Sequence, residues 1–124
     1  MKKIILSWFV LAVLIACNNE SSKDKGDKTG DDLSANPDYQ KGLALVAGSN
    51  CMTCHQIDET LTGPPYREVA KKYANYPDTI IPHLAGKIIN GGNGVWGEIY
   101  MTPNSSVSQA NAEAMVKYIL LLKK

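Results

Sequence analysis

Cys51-Met52-Thr53-Cys54-His55 constrains this chain more than any other stretch of its 124 residues. Two thiols three positions apart, with an imidazole directly behind the second, form the pattern by which a protein attaches c-type haem covalently. The spacing has a chemical reason. Residues i and i+3 share one face of a helical turn, so Cys51 and Cys54 can each form a thioether to one haem vinyl group. His55 then arrives at the iron as proximal ligand. A bare C-x-x-C also suits a thioredoxin-like dithiol or half of a zinc site. The chain has no second C-x-x-C, no H-x-x-x-H and no βαβ pattern around the motif, so both alternatives lack their remaining parts. Met52 sits inside the attachment loop, pinned beside the thioethers, and cannot turn back to the iron.

The ends of the chain do not belong to the folded part. Lys2 and Lys3 precede an apolar run over residues 4–16, too short for a comfortable membrane span and shaped like a signal peptide. The protein is therefore expected to be exported. Leu14-Ile15-Ala16-Cys17 resembles the bacterial lipobox, in which cleavage before the cysteine leaves a thiol that carries a diacylglycerol. With Cys17 assigned to lipid and the motif pair to haem, all three cysteines are used and no disulfide is expected. Residues 1–16 thus read as signal, and 17–35 as a lipidated cysteine with a polar tether. That tether has one lone Leu33 and cannot bury enough surface to offset its ordering entropy. As a flexible chain it would hold the domain on the order of 20 to 25 Å from its anchor. Loss of Lys2 and Lys3 leaves eleven basic residues against twelve acidic, a balance that does not suggest nucleic acid.

Residues 36–124 form the expected domain. Asn36-Pro37 reads as an N-cap followed by proline at the first helical position, with Tyr39, Leu43 and Val46 at helical spacing and Gly48-Ser49-Asn50 as the stop. After Pro64-Pro65, the residues Tyr66, Val69, Ala70 and Tyr73 give a second short helix, with Arg67, Lys71 and Lys72 on its wet side. A third starts near Asp78 or Thr79, turns Ile81, Leu84, Ala85 and Ile88 inward, and stops at Asn90-Gly91-Gly92. The last begins at a capping box, Ser106-Val107-Ser108-Gln109, and carries a wide apolar face of Ala112, Met115, Val116, Ile119, Leu120 and Leu122. No alternating strand pattern competes, so the expected class is all-α: four or so short helices around one haem. So short a domain is marginal by burial alone, and a large apolar disc supplies the missing core.

A haem that only passes electrons needs a second axial ligand. Of four methionines, Met1 leaves with the signal, Met52 is sterically excluded, and Met115 belongs to the apolar face of the last helix. Met101 remains, in an irregular segment between a glycine-rich loop and the final helix. His83 is the bis-histidine alternative; it follows Pro82 at the start of the third helix, on the side away from Ile81 and Leu84, and reads as a solvated residue.

Four ordered motifs now carry a resemblance: Cys51 to His55, then Gly63-Pro64-Pro65-Tyr66, then residues 90–97 (NGGNGVWG), then Met101-Thr102-Pro103-Asn104. From about Pro37 to Lys124 the chain resembles short bacterial class I cytochromes c, most of all those that donate electrons to nitrite reductases and terminal oxidases. The resemblance implies that fold, with N- and C-terminal helices packed together. It also implies roles for single residues. Pro64 would offer its carbonyl to the proximal imidazole, Trp96 its indole N–H to a haem propionate, and Asn104 a hydrogen bond near the methionine sulfur. Lys87 stands where close relatives carry an arginine toward the propionates, a point charge in place of a fork. Tyr100 departs from the proline that usually precedes the methionine, and both departures bear on the potential.

The expected function is one-electron transfer by a lipid-anchored monohaem protein facing the periplasm or cell exterior. Its partners would be a quinol-oxidising complex and a terminal oxidase or nitrite reductase, with no small-molecule substrate. Electrons would cross an exposed haem edge rimmed by uncharged Asn50, Met52, Thr53, Thr62, Pro64 and Pro65. Two other readings are a haem enzyme or sensor with an open distal site, and the detachable haem subunit of a larger membrane oxidase. No acid–base residue lies close to Met101 in sequence, which speaks against the first.

Overall fold

The computed structural model describes residues 33–124, so the expected signal segment, Cys17 and nearly all of the tether lie outside the described residues. A single 3₁₀ turn, Leu33–Ala35, leads into helix α1, Pro37–Gly48. Asn36 starts that helix as expected: its side-chain oxygen accepts from the Asp38 and Tyr39 amides at 2.9 and 3.2 Å, and Pro37 follows it. Helix α2 spans Tyr66–Tyr73, α3 Ile80–Asn90 and α4 Gln109–Leu121.

Helix α4 is the hub, with α1, α2 and α3 all packed on it. Its Ala112, Met115, Val116, Tyr118 and Ile119 are buried, as is Leu122 just beyond it. Each large side chain among them contributes roughly 1.5–3 kcal/mol of burial. The crossing with α1 is set by Gly42, where a Cβ would run into the Tyr118 Cβ and the Ala114 carbonyl oxygen. Close approach there lets Tyr39 meet Tyr118 edge to face, with ring centroids 5.1 Å apart.

Three sequence expectations change. The buried stripe of α1 runs through Gly42 and Val46, while Leu43 is 41% exposed. The cap of α4 is Ser108, whose hydroxyl accepts from the Asn111 amide at 3.3 Å; Ser106 instead donates to the Asn104 side chain at 3.0 Å. The fold is mostly helical rather than purely so, because the glycine-rich segment forms an antiparallel hairpin of β1, Gly92–Gly94, and β2, Gly97–Met101. Glycines with positive φ at 92, 94 and 97 allow it, which is why no strand propensity announced it. Among the described residues no helix is long and apolar enough to cross a membrane.

Candidate haem site

The motif itself is a tight turn. Cys51–Thr53 form a 3₁₀ helix entered through Asn50 in the left-handed region (φ 55°), and the Cys54 and His55 amides both donate to the Cys51 carbonyl, at 3.3 and 3.0 Å. With three residues per turn, positions i and i+3 eclipse, so Cys51 and Cys54 fall on one side. Neither is in a disulfide, and burial pushes the Cys51 thiol up. Among the described residues no three His, Cys, Asp or Glu side chains gather to hold a metal ion, so the zinc alternative finds no partners.

Behind the motif the chain doubles back on itself. The Gly63, Tyr66 and Arg67 amides donate to the carbonyls of Cys54, Gln56 and Ile57 at 2.8, 2.8 and 3.0 Å. This zipper carries the Pro64 carbonyl oxygen to 2.8 Å from His55 Nδ1. A carbonyl only accepts, so Nδ1 carries the proton and Nε2 keeps the lone pair a metal needs. Gly63 lies against the same ring: a Cβ there would meet Cε1 and stand 2.8 Å from Nδ1 and 2.9 Å from Nε2. Tyr66 stacks on the imidazole, centroids 5.2 Å apart and planes 14° from parallel. Burial raises its phenol far above the ordinary value.

These groups open onto a cavity of about 730 Å³, within the roughly 300–1,000 Å³ usual for cofactor pockets. Cys51, Cys54, His55 and Pro64 line it, and so do Met101 and Asn104, although about fifty residues separate the two groups. Met115, Val116 and Ile119 of α4 add apolar wall. Trp96 and Lys87 complete the set of residues singled out from the sequence, leaving only Cys17 outside the described residues. Met52 lines a different groove, beside Tyr39 and Leu43, and does not border this cavity. His83 is exposed yet does border it, together with Leu84 and Lys87, rather than facing away as its sequence position suggested.

Met101 is the last residue of β2, paired across the hairpin with Gly92 and half-buried. Gly91 makes that placement possible: its φ is +71°, and a Cβ would strike the Met101 carbonyl oxygen and lie 3.0 Å from the Pro103 nitrogen. The Asn104 amide then ties the following loop to α3 through the Ile88 carbonyl at 2.9 Å. The Asn104 side chain reaches back toward α1, its Nδ2 3.5 Å from the Ser49 carbonyl oxygen.

Charge around the cavity is mainly positive on one flank. The Lys72 ammonium sits 5.3 Å from the Trp96 ring centroid, and Lys87 occupies the last turn of α3. Glu68, already paired with Lys71 at 2.8 Å, is the carboxylate among the described lining residues. Sequence reasoning missed two contributors. Tyr66 was visible as part of an apolar stripe and of the Gly63-Pro64-Pro65-Tyr66 motif, with no role of its own at the imidazole. Arg67, expected on the wet side, is 17% exposed in its side chain; it pairs with Asp58 and donates to the Leu122 carbonyl at 2.8 Å. No local signal marks a partner fifty-five positions away.

Residues 39–123 match the family model described as cytochrome c. The chain belongs to the cytochrome c family. It is 46% identical over 84 residues to cytochrome c-552 of Nitrosomonas europaea, covering 68% of this chain and 81% of that one. Cytochrome c-551 of Pseudomonas aeruginosa is 40% identical over 79 residues, covering 64% and 74% respectively. The crystal structure of the wild-type Nitrosomonas europaea cytochrome c552 superposes with a TM-score of 0.61 at 44% identity, covering 65% of this chain and 99% of that one. As a cytochrome c, the chain carries one covalent haem c and serves as an electron carrier rather than an enzyme. The residues present fit that group: an apolar-walled cavity, two thiols on one side of a turn, an imidazole with Nε2 uncommitted, a thioether and flanking cations.

Proposed function

We propose that this cytochrome c holds its haem through thioethers at Cys51 and Cys54, with His55 and Met101 as axial ligands. Carried by it as a lipid-anchored protein outside the cytoplasmic membrane, electrons pass between a quinol-oxidising complex and a terminal oxidase or nitrite reductase. The observation that carries the reading is the single cavity shared by both thiols, the oriented imidazole and the Met101 thioether. Bound haem supplies a one-electron Fe(III)/Fe(II) couple.

The chain's own residues supply the rest. Pro64 fixes the tautomer of His55, which leaves Nε2 free to serve as the ligand atom. Gly91 and the Asn104–Ile88 hydrogen bond hold the Met101 segment against α3, which keeps the distal side closed to other ligands. Trp96 and Lys87, on the hairpin tip and the end of α3, would meet the propionates, and Asn104, which lines the same cavity as Met101, would offer a hydrogen bond near the methionine sulfur. Exposed, uncharged Asn50, Thr53 and Thr62 at the cavity mouth make a small, weakly polar contact area suited to brief redox encounters. Cys17 supplies the anchor and residues 18–35 the spacer.

Mass spectrometry of the mature protein tests attachment and anchor together. The account expects a haem on the peptide holding Cys51 and Cys54 and a modified N-terminal Cys17. A different N-terminus removes the anchor and leaves the haem assignment standing; a haem-free peptide removes the assignment itself.

A further inference from the structure

We infer that Lys72 is a positioning residue: its ammonium holds the indole of Trp96 at the cavity mouth, so that the ring N–H stays directed at a haem carboxylate. This rests on the reading of Trp96 as the propionate donor. The ammonium lies over the face of the indole, 5.3 Å from the ring centroid. Lys72 stands in the last turn of α2 and Trp96 at the tip of the hairpin, so the contact joins two elements that both contribute wall to the cavity. Trp96 borders that cavity and Lys72 does not, so the lysine acts through the indole.

The hairpin alone does not fix the ring. Val95 and Trp96 form a two-residue turn between Gly94 and Gly97, which pair across the hairpin and have φ of 103° and 111°. A Cβ on either glycine would meet open space, and Trp96 is 44% exposed, so packing does not set the angle of the indole. The Asn93 side-chain amide donates to the Glu98 carbonyl at 3.3 Å, which fastens the strands below the tip and leaves the ring untouched. Glu68 lies one turn before Lys72, the favourable spacing for a helix ion pair, yet it is paired with Lys71 at 2.8 Å. Among the described residues Lys72 takes part in no ion pair and meets the indole instead. The ring face takes the cation, while the N–H, a donor only, lies at the edge and stays available to an acceptor. Lys87 serves the other end of β1, its Nζ 3.4 Å from where a Gly92 Cβ would stand. A propionate held by the indole keeps its charge offset, and the hydrogen bonding of the haem periphery is a lever on the potential. Without Lys72 the ring turns freely on its exposed tip, the bond loosens, and the equilibrium moves toward the oxidised form.

The test compares holo wild type, Lys72→Gln, Lys72→Arg, Trp96→Phe and the double variant Lys72→Gln with Trp96→Phe. The readouts are the potential and the indole Nε1–H resonance, which Trp96 alone supplies beyond residue 16. Lys72→Gln should move the redox equilibrium about threefold toward the oxidised form, about 28 mV at 59 mV per tenfold. It should also shift the indole N–H resonance and speed its exchange with water. Lys72→Arg keeps a cation for the ring and should restore the wild-type values. Phenylalanine offers a ring face but no N–H, so adding Lys72→Gln to Trp96→Phe should leave the potential where Trp96→Phe alone put it. An equal shift in both backgrounds overturns the inference, because the charge then acts through space and not through the indole. An unchanged potential and indole resonance in Lys72→Gln overturn it as well. A Trp96→Phe potential equal to wild type overturns the propionate reading and the inference with it; a shifted Trp96→Phe beside an inert Lys72→Gln overturns the inference alone. Should Trp96→Phe not mature, the indole resonance decides: movement in Lys72→Gln that Lys72→Arg reverses supports the positioning, and no movement overturns it.

Discussion

His55 is fixed by a four-residue run, Gly63-Pro64-Pro65-Tyr66, in which each contact has a different physical origin. Pro64 contributes a carbonyl, Gly63 an absence of side chain and Tyr66 an aromatic plane. The first was expected because the resemblance to class I cytochromes c implies it for Pro64. The other two were not, since a glycine and a tyrosine beside prolines read simply as a turn and a helix start. Gly63→Ala is a sharp test at this scale. Its Cβ would enter the space of the imidazole, so the variant is expected to lose about 1–3 kcal/mol of stability through overpacking, measured by thermal unfolding of the holo protein. Pro64→Ala keeps the carbonyl and should leave the absorption spectrum nearly unchanged. Met101 was legible by elimination, yet the glycine that lets it reach the cavity became visible only through its φ of +71° and the close approach of the Met101 carbonyl.

Helix α4 followed its sequence closely, because a wide apolar face at 3.6-residue spacing has one stable arrangement, against the rest of the core. Its start did not, since two serines two positions apart both satisfy a capping pattern and only the backbone chooses between them. Ser108→Ala is expected to cost about 1 kcal/mol in thermal unfolding, with Ser106→Ala near neutral. Helix α1 hid its contact face for another reason: Gly42 makes the crossing by lacking a side chain, so hydropathy pointed to Leu43 instead. Gly42→Val should destabilise the α1–α4 crossing by about 1–3 kcal/mol. Arg67 joins the loop behind the motif to the end of α4, through Asp58 and the Leu122 carbonyl. The guanidinium holds the Asp58 carboxyl below its ordinary value. A depressed carboxylate contributes stability above its unfolded pKa, about 4, and loses it as pH falls through the lower folded value. The melting temperature of Arg67→Ala should therefore lie below wild type at neutral pH, and the gap should narrow below about pH 4.

For the molecule as a whole, four helices and a hairpin enclose a cavity that the chain's own side chains leave to a cofactor. Apolar residues from α1, α2, α3 and α4 meet around it, and no buried polar side chain among the described residues lacks a partner. A domain this small needs that additional core, so substituting both Cys51 and Cys54 with Ala should lower and broaden thermal unfolding as well as abolish attachment. The packing of the terminal helices was implied by the family resemblance, and the mostly helical class was legible because periodic apolar stripes dictate it. The hairpin was not, because glycines shape it through backbone freedom and carry no pattern. The central claim is a closed six-coordinate site made by His55 and Met101, and the near-infrared absorption of the oxidised protein tests it most directly. Wild type should show the weak sulfur-to-iron band, His83→Ala should retain it, and Met101→Ala should lose it. A band that survives Met101→Ala, or disappears in His83→Ala, would contradict the account.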